Sequence, residues 1–116
     1  MEEKILQDIG LTRNESRIYL TLLKLGSSTA GEITERCGIH RRNVYDCIER
    51  LMEKRLISSV LLNNRKYFNA EDPERFATLI DERKSRLDEQ KNLLLKVIPS
   101  LRPIEKKAKQ EVRFYK

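Results

Sequence analysis

Two short amphipathic segments on either side of a glycine-containing turn constrain the fold of this chain more than any other feature of its sequence. The first covers residues 30–36 and is expected to end at Gly38, and the second covers residues 41–54. The buried stripe of the second segment consists of three apolar residues at helical spacing, Val44, Ile48 and Leu51. Two helices joined by so short a turn form a helix-turn-helix, although this motif also occurs in proteins that never touch nucleic acid.

A β-hairpin is predicted directly after these helices. Residues 56–62 favour a strand, Asn63, Asn64 and Arg65 are typical of a turn, and residues 66–70 include an aromatic pair. A helix-turn-helix followed by a hairpin is the order of elements in a winged helix, in which the hairpin is the wing. We therefore predict a recognition helix over about 41–54 and a wing over about 57–70. The helix-turn-helix and the hairpin together indicate a winged helix more specifically than either motif does alone.

The chain before this motif is also predicted to be helical. Residues 2–9 favour a short amphipathic helix. Thr12 followed three residues later by Glu15 is a capping box, in which a hydroxyl and a carboxylate satisfy backbone amides at the start of a helix. That helix is predicted over residues 13–25, where apolar residues recur at helical spacing until Gly26 ends it.

A long helix is predicted from Pro73 to about residue 98, since Asp72 is a suitable cap and neither Gly nor Pro interrupts this stretch. Apolar residues recur along it every seven residues, as in a coiled coil, while Arg83 and Gln90 occupy the other inner positions. We expect this helix to form a homodimer, and the alternative is a single helix packed back on its own domain. The expected interface residues are Phe76, Ile80, Leu87, Leu94 and Leu101.

Pro99 and Pro103 are expected to end this helix, and the charged residues 105–110 are typical of a linker. Three residues then alternate as in a strand, Val112, Phe114 and Tyr115. The predicted fold is mainly α with a small β-hairpin, a winged helix-turn-helix followed by a long C-terminal dimerisation helix. The expected divisions are 1–71 for the winged helix-turn-helix, 72–101 for the dimerisation helix and 102–116 for a charged tail.

Length and composition limit what the chain does. Its 116 residues form one small domain, too short for a large enzyme fold, and contain no motif of a phosphate-binding loop, an activated nucleophile or a metalloprotease. We therefore predict no enzyme activity and no cofactor. We also expect a cytoplasmic protein, since no apolar run is long enough to span a membrane and the first residues do not form a secretory signal.

Two cysteines and the single histidine lie close together in the sequence, at Cys37, His40 and Cys47. A structural zinc site needs four ligands, usually in closely spaced pairs, and this set supplies neither. A redox sensor needs an exposed thiol with a lowered pKa. We interpret both cysteines as small apolar residues of the core and predict no metal site.

The exposed face of the predicted recognition helix carries residue types that read DNA. The N-terminal half of such a helix is the part that reaches base edges in the major groove. Arg42 is the leading candidate for reading guanine, and Asn43 for reading adenine. Asp46 lies one turn from both Arg42 and Arg50, and it is expected to fix their guanidinium groups or to accept from cytosine. The alternative is a solvated salt-bridge ladder of these three residues.

Further candidates surround this face. Ser28 and Thr29 are expected to donate to phosphate, while Arg65 and Lys66 are expected to reach phosphates or a flanking minor groove. Tyr45 either closes the edge of the core or contacts the DNA backbone. The complete set of expected DNA-binding residues is Ser28, Thr29, His40, Arg41, Arg42, Asn43, Tyr45, Asp46, Arg50, Arg65 and Lys66. The formal net charge of +6 agrees with a nucleic-acid partner.

From Ile9 to about Leu101 the chain resembles the N-terminal winged-helix domain of the TrmB family of archaeal and bacterial regulators. The matching segments are GLTRNESRIY (10–19), TAGEI (29–33), IHRRNVYD (39–46) and LMEKRLI (51–57). In that family the third segment is the recognition helix, so the resemblance implies double-stranded DNA as partner and control of transcription as the role. Full-length members carry a C-terminal domain that binds a sugar or another effector, and residues 111–115 resemble its opening strand. The chain ends there, which leaves open whether it binds a small-molecule effector.

We therefore expect a sequence-specific transcription regulator that binds double-stranded DNA as a homodimer. The mixed charges of the recognition helix support an alternative, a winged-helix module that binds proteins of the transcription machinery without specific DNA binding. RNA binding is a third possibility. Salt-sensitive binding to random duplex DNA separates the first hypothesis from the second, since a protein-binding module shows little of it.

Overall fold

A computed structural model describes residues 1–114, with the side chains of residues 1–109. Within this range the chain forms five helices and one two-stranded antiparallel sheet. In chain order the elements are α1 (Glu2–Asp8), α2 (Arg13–Leu25), α3 (Ala30–Cys37), α4 (Arg41–Glu53), β1 (Ile57–Leu62), β2 (Arg65–Ala70) and α5 (Arg75–Phe114). The predicted fold class is confirmed.

The chain divides into two compact units, Met1–Ile80 and the residues from Asp81 onward. The core of the first unit is built from apolar side chains of the first four helices, the hairpin and the first turn of α5. Its most deeply buried aliphatic residues include Ile18, Leu22, Ile33, Val44 and Leu51. Burying each such side chain is worth about 1.5–3 kcal/mol, so this core is what holds α2, α3 and α4 against one another.

Helices α2 and α3 begin and end at the predicted capping residues, whereas α5 begins at Arg75 and not at the predicted Pro73. Thr12 and Glu15 form a complete capping box, in which the Thr12 amide donates to the Glu15 carboxylate at 2.8 Å and the Glu15 amide donates to the Thr12 hydroxyl at 3.1 Å. Thr29 caps α3, and Gly38 ends it in the left-handed conformation with φ of 69°. Glycine adopts this conformation without steric cost, which makes the short turn before α4 possible.

The hairpin closes through a tighter turn than the sequence suggested. Asn63 and Asn64 have φ values of 50° and 63°, as a two-residue type I′ turn requires. Arg65 therefore lies in β2, directly opposite Leu62, rather than in the turn. The correction has a physical reason, since asparagine tolerates positive φ and two such residues are enough to reverse the chain.

The base of the wing is fixed to the rest of the first unit at two points. Ser28 and Phe68 exchange backbone hydrogen bonds of 3.0 and 2.7 Å, so the segment before α3 pairs with the edge of β2. The hydroxyl of Tyr19 in α2 donates to the carbonyl of Glu71 at 2.7 Å. The wing is thus held beside the start of α3.

Phe76 belongs to the core of the first unit, which corrects its predicted place in a dimer interface. Its side chain is 8% exposed. The ring meets Tyr19 edge to face, with ring centroids 4.9 Å apart. The seven-residue spacing could not reveal this contact, because Tyr19 lies far away in the sequence.

Helix α5 continues through both Pro99 and Pro103, so the prediction that these prolines end the helix is wrong. A proline in a helix removes the hydrogen bond to the carbonyl four residues earlier. At about 100° per residue, both prolines lie about 140–180° around the helix from Leu94, away from the apolar seam. The carbonyls that they release therefore face water, which satisfies them.

The same helix overturns the predictions for the end of the chain. The expected linker over 105–110 is helical, and the expected strand over 111–115 is helical as far as Phe114. Tyr115 lies outside the described residues. Local alternation of three residues is a weak signal, and the preceding helix simply extends through it.

Along the second unit, the side chains that repeat every seven residues are exposed. Leu87, Leu94, Val97, Leu101 and Ile104 are between 46 and 66% exposed. Ile104 joins this seam only because the helix does not stop at Pro103. Among the residues that the structure describes, no helix combines the length and the apolar character needed to cross a membrane.

Candidate nucleic-acid interface

An open cleft of about 390 Å³ brings together the start of α3, the first turns of α4 and the wing. Its lining residues are Thr29, Ala30, Gly31, Arg41, Tyr45, Arg65, Lys66 and Phe68. Three of these residues are cations, and none of them is acidic. The cleft therefore concentrates positive charge at the point where the backbone pairing of Ser28 with Phe68 fixes the wing beside α3.

The N-terminal half of α4 is exposed next to this cleft. His40 caps the helix through Nδ1, which accepts the amide of Arg42 at 3.2 Å, so the proton of the neutral ring is on Nε2. The guanidinium carbon of Arg41 lies 5.7 Å from the centroid of the Tyr45 ring, within the range of a cation–π contact. Arg42 and Asn43 are exposed on the same turns. Their side chains present the donors and acceptors that match purine edges.

Arg50 is exposed, as predicted, and its guanidinium also takes part in the contact between α2 and α4. Its Nε lies 3.9 Å from Oε2 of Glu15, and its Nη2 donates to Sγ of Cys47 at 3.3 Å. Asp46 is exposed, and within the described chain it forms no ion pair with either neighbouring arginine. Asp46 therefore does not hold the guanidinium groups of Arg42 and Arg50, and these three residues form no salt-bridge ladder. Arg50 is attracted instead by the buried carboxylate of Glu15 on α2.

Glu15 links α2 to the C-terminal half of α4. Its side chain is 1% exposed, and Oε2 accepts from Nζ of Lys54 at 3.1 Å. Burial raises the pKa of Glu15, but the hydrogen bonds from the Thr12 amide and from Lys54 outweigh it, and the pKa stays below its usual value. Glu15 is therefore ionised in the folded protein. The capping-box pattern revealed its role as a cap, whereas its pairing with Lys54, 39 residues away, has no local sequence signal.

Ser28 lies outside the interface, so the prediction that its hydroxyl meets phosphate is wrong. The residue is 1% exposed, and its hydroxyl donates to the carbonyl of Gly26 at 3.0 Å. Thr29 does line the cleft. Its hydroxyl accepts the Glu32 amide and donates to the Glu32 carboxylate, both at 3.2 Å, so its proton is already used within α3.

The two cysteines are thiols that contribute to packing. Cys47 is buried and Cys37 is half-buried against the core. Burial raises the pKa of the Cys47 thiol, which keeps it protonated and unreactive. The part of the chain that the structure describes contains no group of three or more His, Cys, Asp and Glu residues that could hold a metal ion.

Comparison with known proteins assigns a family to this arrangement. Residues 6–74, more than half of the chain, match the family described as "Sugar-specific transcriptional regulator TrmB". The chain belongs to the TrmB family. The members of this family are transcriptional regulators and not enzymes, which confirms both the resemblance and the prediction that the chain is not an enzyme.

Individual relatives agree with this assignment. Over 70 residues the chain is 43% identical to TrmBL1 of Pyrococcus furiosus, an HTH-type sugar sensing transcriptional regulator, and the match covers 58% of this chain and 20% of TrmBL1. The solved structure of TrmBL2, an archaeal chromatin protein, matches with a TM-score of 0.78 at 22% identity, over 86% of this chain and 39% of that one. YusO of Bacillus subtilis matches with a TM-score of 0.56 at 22% identity, over 77% and 67% of the two chains. The chain thus spans about a fifth of the length of TrmBL1.

Proposed function

We propose that this chain is a cytoplasmic transcription regulator that binds double-stranded DNA sequence-specifically as a homodimer. The observation that carries the proposal is the cleft in which Arg41, Arg65 and Lys66 converge beside the exposed Arg42 and Asn43. The relatives support it, since TrmBL1 is a transcriptional regulator and the structure of TrmBL2 shows a novel mode of DNA binding.

Phosphate contacts and base contacts come from different residues in this proposal. The three cations of the cleft neutralise phosphates, which position the protein on the duplex without reading its sequence. Arg42 reads guanine by donating to O6 and N7, and Asn43 reads adenine. His40 offers Nε2 as a further donor to a phosphate or a base.

The direction in which α4 enters the major groove follows from its charges. Its N-terminal half carries His40, Arg41 and Arg42, whereas its C-terminal half carries the exposed Glu49 and Glu53. Carboxylates facing the phosphates would repel them. The N-terminal half therefore lies deepest in the groove, and Asp46 at the middle of the helix is placed to accept from the amino group of cytosine.

The homodimer in this proposal is formed by α5. Its seam consists of Ile80, Leu87, Leu94 and Leu101, extended by Ile104. A stripe of exposed aliphatic side chains of this length is costly in water and is covered when two such helices pack together. Joining two DNA-binding domains raises the affinity for a paired site, because the second contact becomes intramolecular.

Anisotropy of a labelled random duplex titrated with the chain, at a series of salt concentrations, tests the proposal. We expect the logarithm of the binding constant to fall linearly with the logarithm of the salt concentration. Selection from a random duplex pool should enrich one motif. Absence of duplex binding, or stronger competition by single-stranded RNA of equal length, contradicts the proposal.

A second cleft favours the alternative, a protein-binding winged helix. It lies between α4 and the wing, and its lining residues are Tyr45, Ile48, Glu49, Met52, Glu53, Lys66 and Phe68, so it shares Lys66 with the first cleft. A largely apolar cleft with two carboxylates and one cation suits a peptide with an apolar anchor and a basic residue better than it suits DNA. Under this alternative, duplex binding in the titration above is weak and independent of salt.

A further inference from the structure

A third cleft lies on the first unit, between α2 and the end of α3. This α2–α3 cleft has a volume of about 280 Å³ and is lined by Glu3, Arg17, Leu20, Thr21, Lys24, Arg36 and Cys37. None of these residues lines the cleft that is proposed to bind DNA. Three cations and one carboxylate give the lining a net charge of +2. The α2–α3 cleft therefore attracts anions.

The cations of this cleft come from two helices. Arg17, Thr21 and Lys24 recur at helical spacing, so they lie on one side of α2, and the last turn of α3 adds Arg36. A basic residue in the last turn of a helix compensates the negative end of the helix dipole, which accounts for Lys24 and Arg36 separately. It does not account for Arg17 in the middle of α2. The meeting of all three cations in one cleft points to a common ligand.

The cations are incompletely paired in the part of the chain that the structure describes. There, the side chains of Lys24 and Arg36 form neither a hydrogen bond nor an ion pair. Arg17 has one partner, Glu3, whose Oε1 lies 3.9 Å from Nε of Arg17 and 3.7 Å from Nε of Arg13. A single carboxylate is thus shared by two arginines, and the three cations can accommodate a further anion.

The half-buried Thr21 adds a hydroxyl to the same cleft. Threonine in a helix commonly donates its hydroxyl to the carbonyl four residues earlier, as Thr34 of α3 does to Ala30 at 2.8 Å. The Thr21 hydroxyl forms no hydrogen bond with any described residue. Its proton is therefore available to a ligand.

We propose that the α2–α3 cleft binds a small molecule that carries a phosphate group. The guanidinium groups of Arg17 and Arg36 present paired N–H donors that match phosphate oxygens, while Lys24 and Thr21 supply further donors. A phosphate monoester carries a charge of about −1.5 to −2 near neutral pH, which balances the lining better than a single carboxylate does. The volume of the cleft leaves room for an organic part beside Leu20. This site does not depend on DNA binding.

The test titrates the ¹⁵N-labelled full chain with inorganic phosphate and, separately, with chloride at the same ionic strength. We expect the amides of residues 17–24 and 36–38 to shift with phosphate and to saturate with a dissociation constant on the order of 1 mM, whereas chloride leaves them unchanged. Phenyl phosphate should bind at least as tightly as inorganic phosphate, and benzoate, which has the same ring but a carboxylate, should bind more weakly.

A charge variant assigns the binding to this cleft. Lys24→Gln/Arg36→Gln removes two of the three cations and should raise the dissociation constant for phosphate by about tenfold or more. Lys96→Gln/Arg102→Gln on α5 loses the same charge outside the cleft and is the matched control, with no expected change. All four positions are exposed, and circular dichroism checks that each variant folds.

Three results overturn the inference. They are an equal response to chloride, an equal rise of the dissociation constant in the control variant, and binding of benzoate as tight as that of phenyl phosphate. The cations would then compensate the helix ends or attract any anion. Loss of phosphate binding at a saturating concentration of the selected duplex also overturns it, since the cleft would then contact the DNA backbone. The proposed function is tested separately, by duplex binding in the absence of phosphate.

Discussion

Glu15 is the residue whose charge connects the capping of α2 to the position of α4. Replacing it with Gln keeps an oxygen that accepts the Thr12 amide, since Gln also serves in a capping box, but removes the charge that pairs with Lys54. We expect Glu15→Gln to lower the free energy of unfolding by about 1.5–3 kcal/mol at neutral pH, the size of a hydrogen bond to a charged group. Urea denaturation followed by circular dichroism measures the difference.

The same variant has a predicted pH dependence. The pKa of Glu15 is lower in the folded state than in the unfolded chain, so its stabilisation is complete above the ordinary glutamate pKa of about 4.3 and is lost as the pH falls through the lower folded value. The difference between wild type and Glu15→Gln should therefore shrink on acidification. Glu35→Gln, an exposed change on α3, is the control. A difference that persists unchanged in acid would show that the charge is not its cause.

Arg42 is the residue on which sequence preference is expected to depend. Arg42→Ala removes a bidentate contact to guanine, so it should cost about 1–3 kcal/mol on the selected duplex and much less on random DNA. Arg13→Ala, which removes an exposed arginine from the start of α2, is the matched control. Equal losses on both duplexes would place Arg42 among the phosphate contacts, and binding constants from anisotropy distinguish these outcomes.

The contribution of the wing to DNA affinity can be measured from the salt dependence of binding. Arg65→Ala/Lys66→Ala removes two of the three cations that line the cleft. We expect a uniform loss of affinity for all duplexes and a salt slope that is smaller by up to about 1.8 for each bound domain, because each phosphate contact contributes about 0.9. An unchanged slope would mean that the wing points away from the DNA.

Helix α5 is the element expected to hold two chains together. Replacing Leu87 and Leu94 with Asp should dissociate the dimer, since each buried aliphatic side chain contributes about 1.5–3 kcal/mol. Leu95→Asp is the matched control, because Leu95 is equally exposed but lies about 100° around the helix from Leu94. Sedimentation velocity reports the outcome. A monomeric wild type, or a double variant that remains dimeric, would falsify this interface.

The sequence predicted some elements more accurately than others. The capping box at Thr12 and the repeats that define α2, α3 and α4 predicted these helices closely, since caps and helical periodicity are local signals. The course of α5 was mispredicted, because a helix can accommodate an internal proline where the carbonyl that it releases faces water. The places of Ser28 and Phe76 and the ion-pair partner of Arg50 were mispredicted, because each depends on a residue of another element.

At the scale of the whole molecule, one proposed surface combines residues that are far apart in the sequence. The start of α3, the first turns of α4 and the wing meet around the cationic cleft, while α1 and the exposed side of α2 lie outside it. A dimer formed by α5 presents this surface twice. Sequence preference should then depend on Arg42, and salt dependence on the cations of the cleft. Affinity for a paired site should depend on the dimer.

An NMR titration of the ¹⁵N-labelled chain with the selected duplex tests this surface most directly. We predict that the largest amide shift changes fall on residues 29–31, on the N-terminal half of α4 and on residues 61–66 of the wing. The amides of α1 and of the exposed side of α2 should stay unchanged. Shift changes concentrated on α1 and α2, or on the acidic C-terminal half of α4, would contradict the proposed DNA-binding surface.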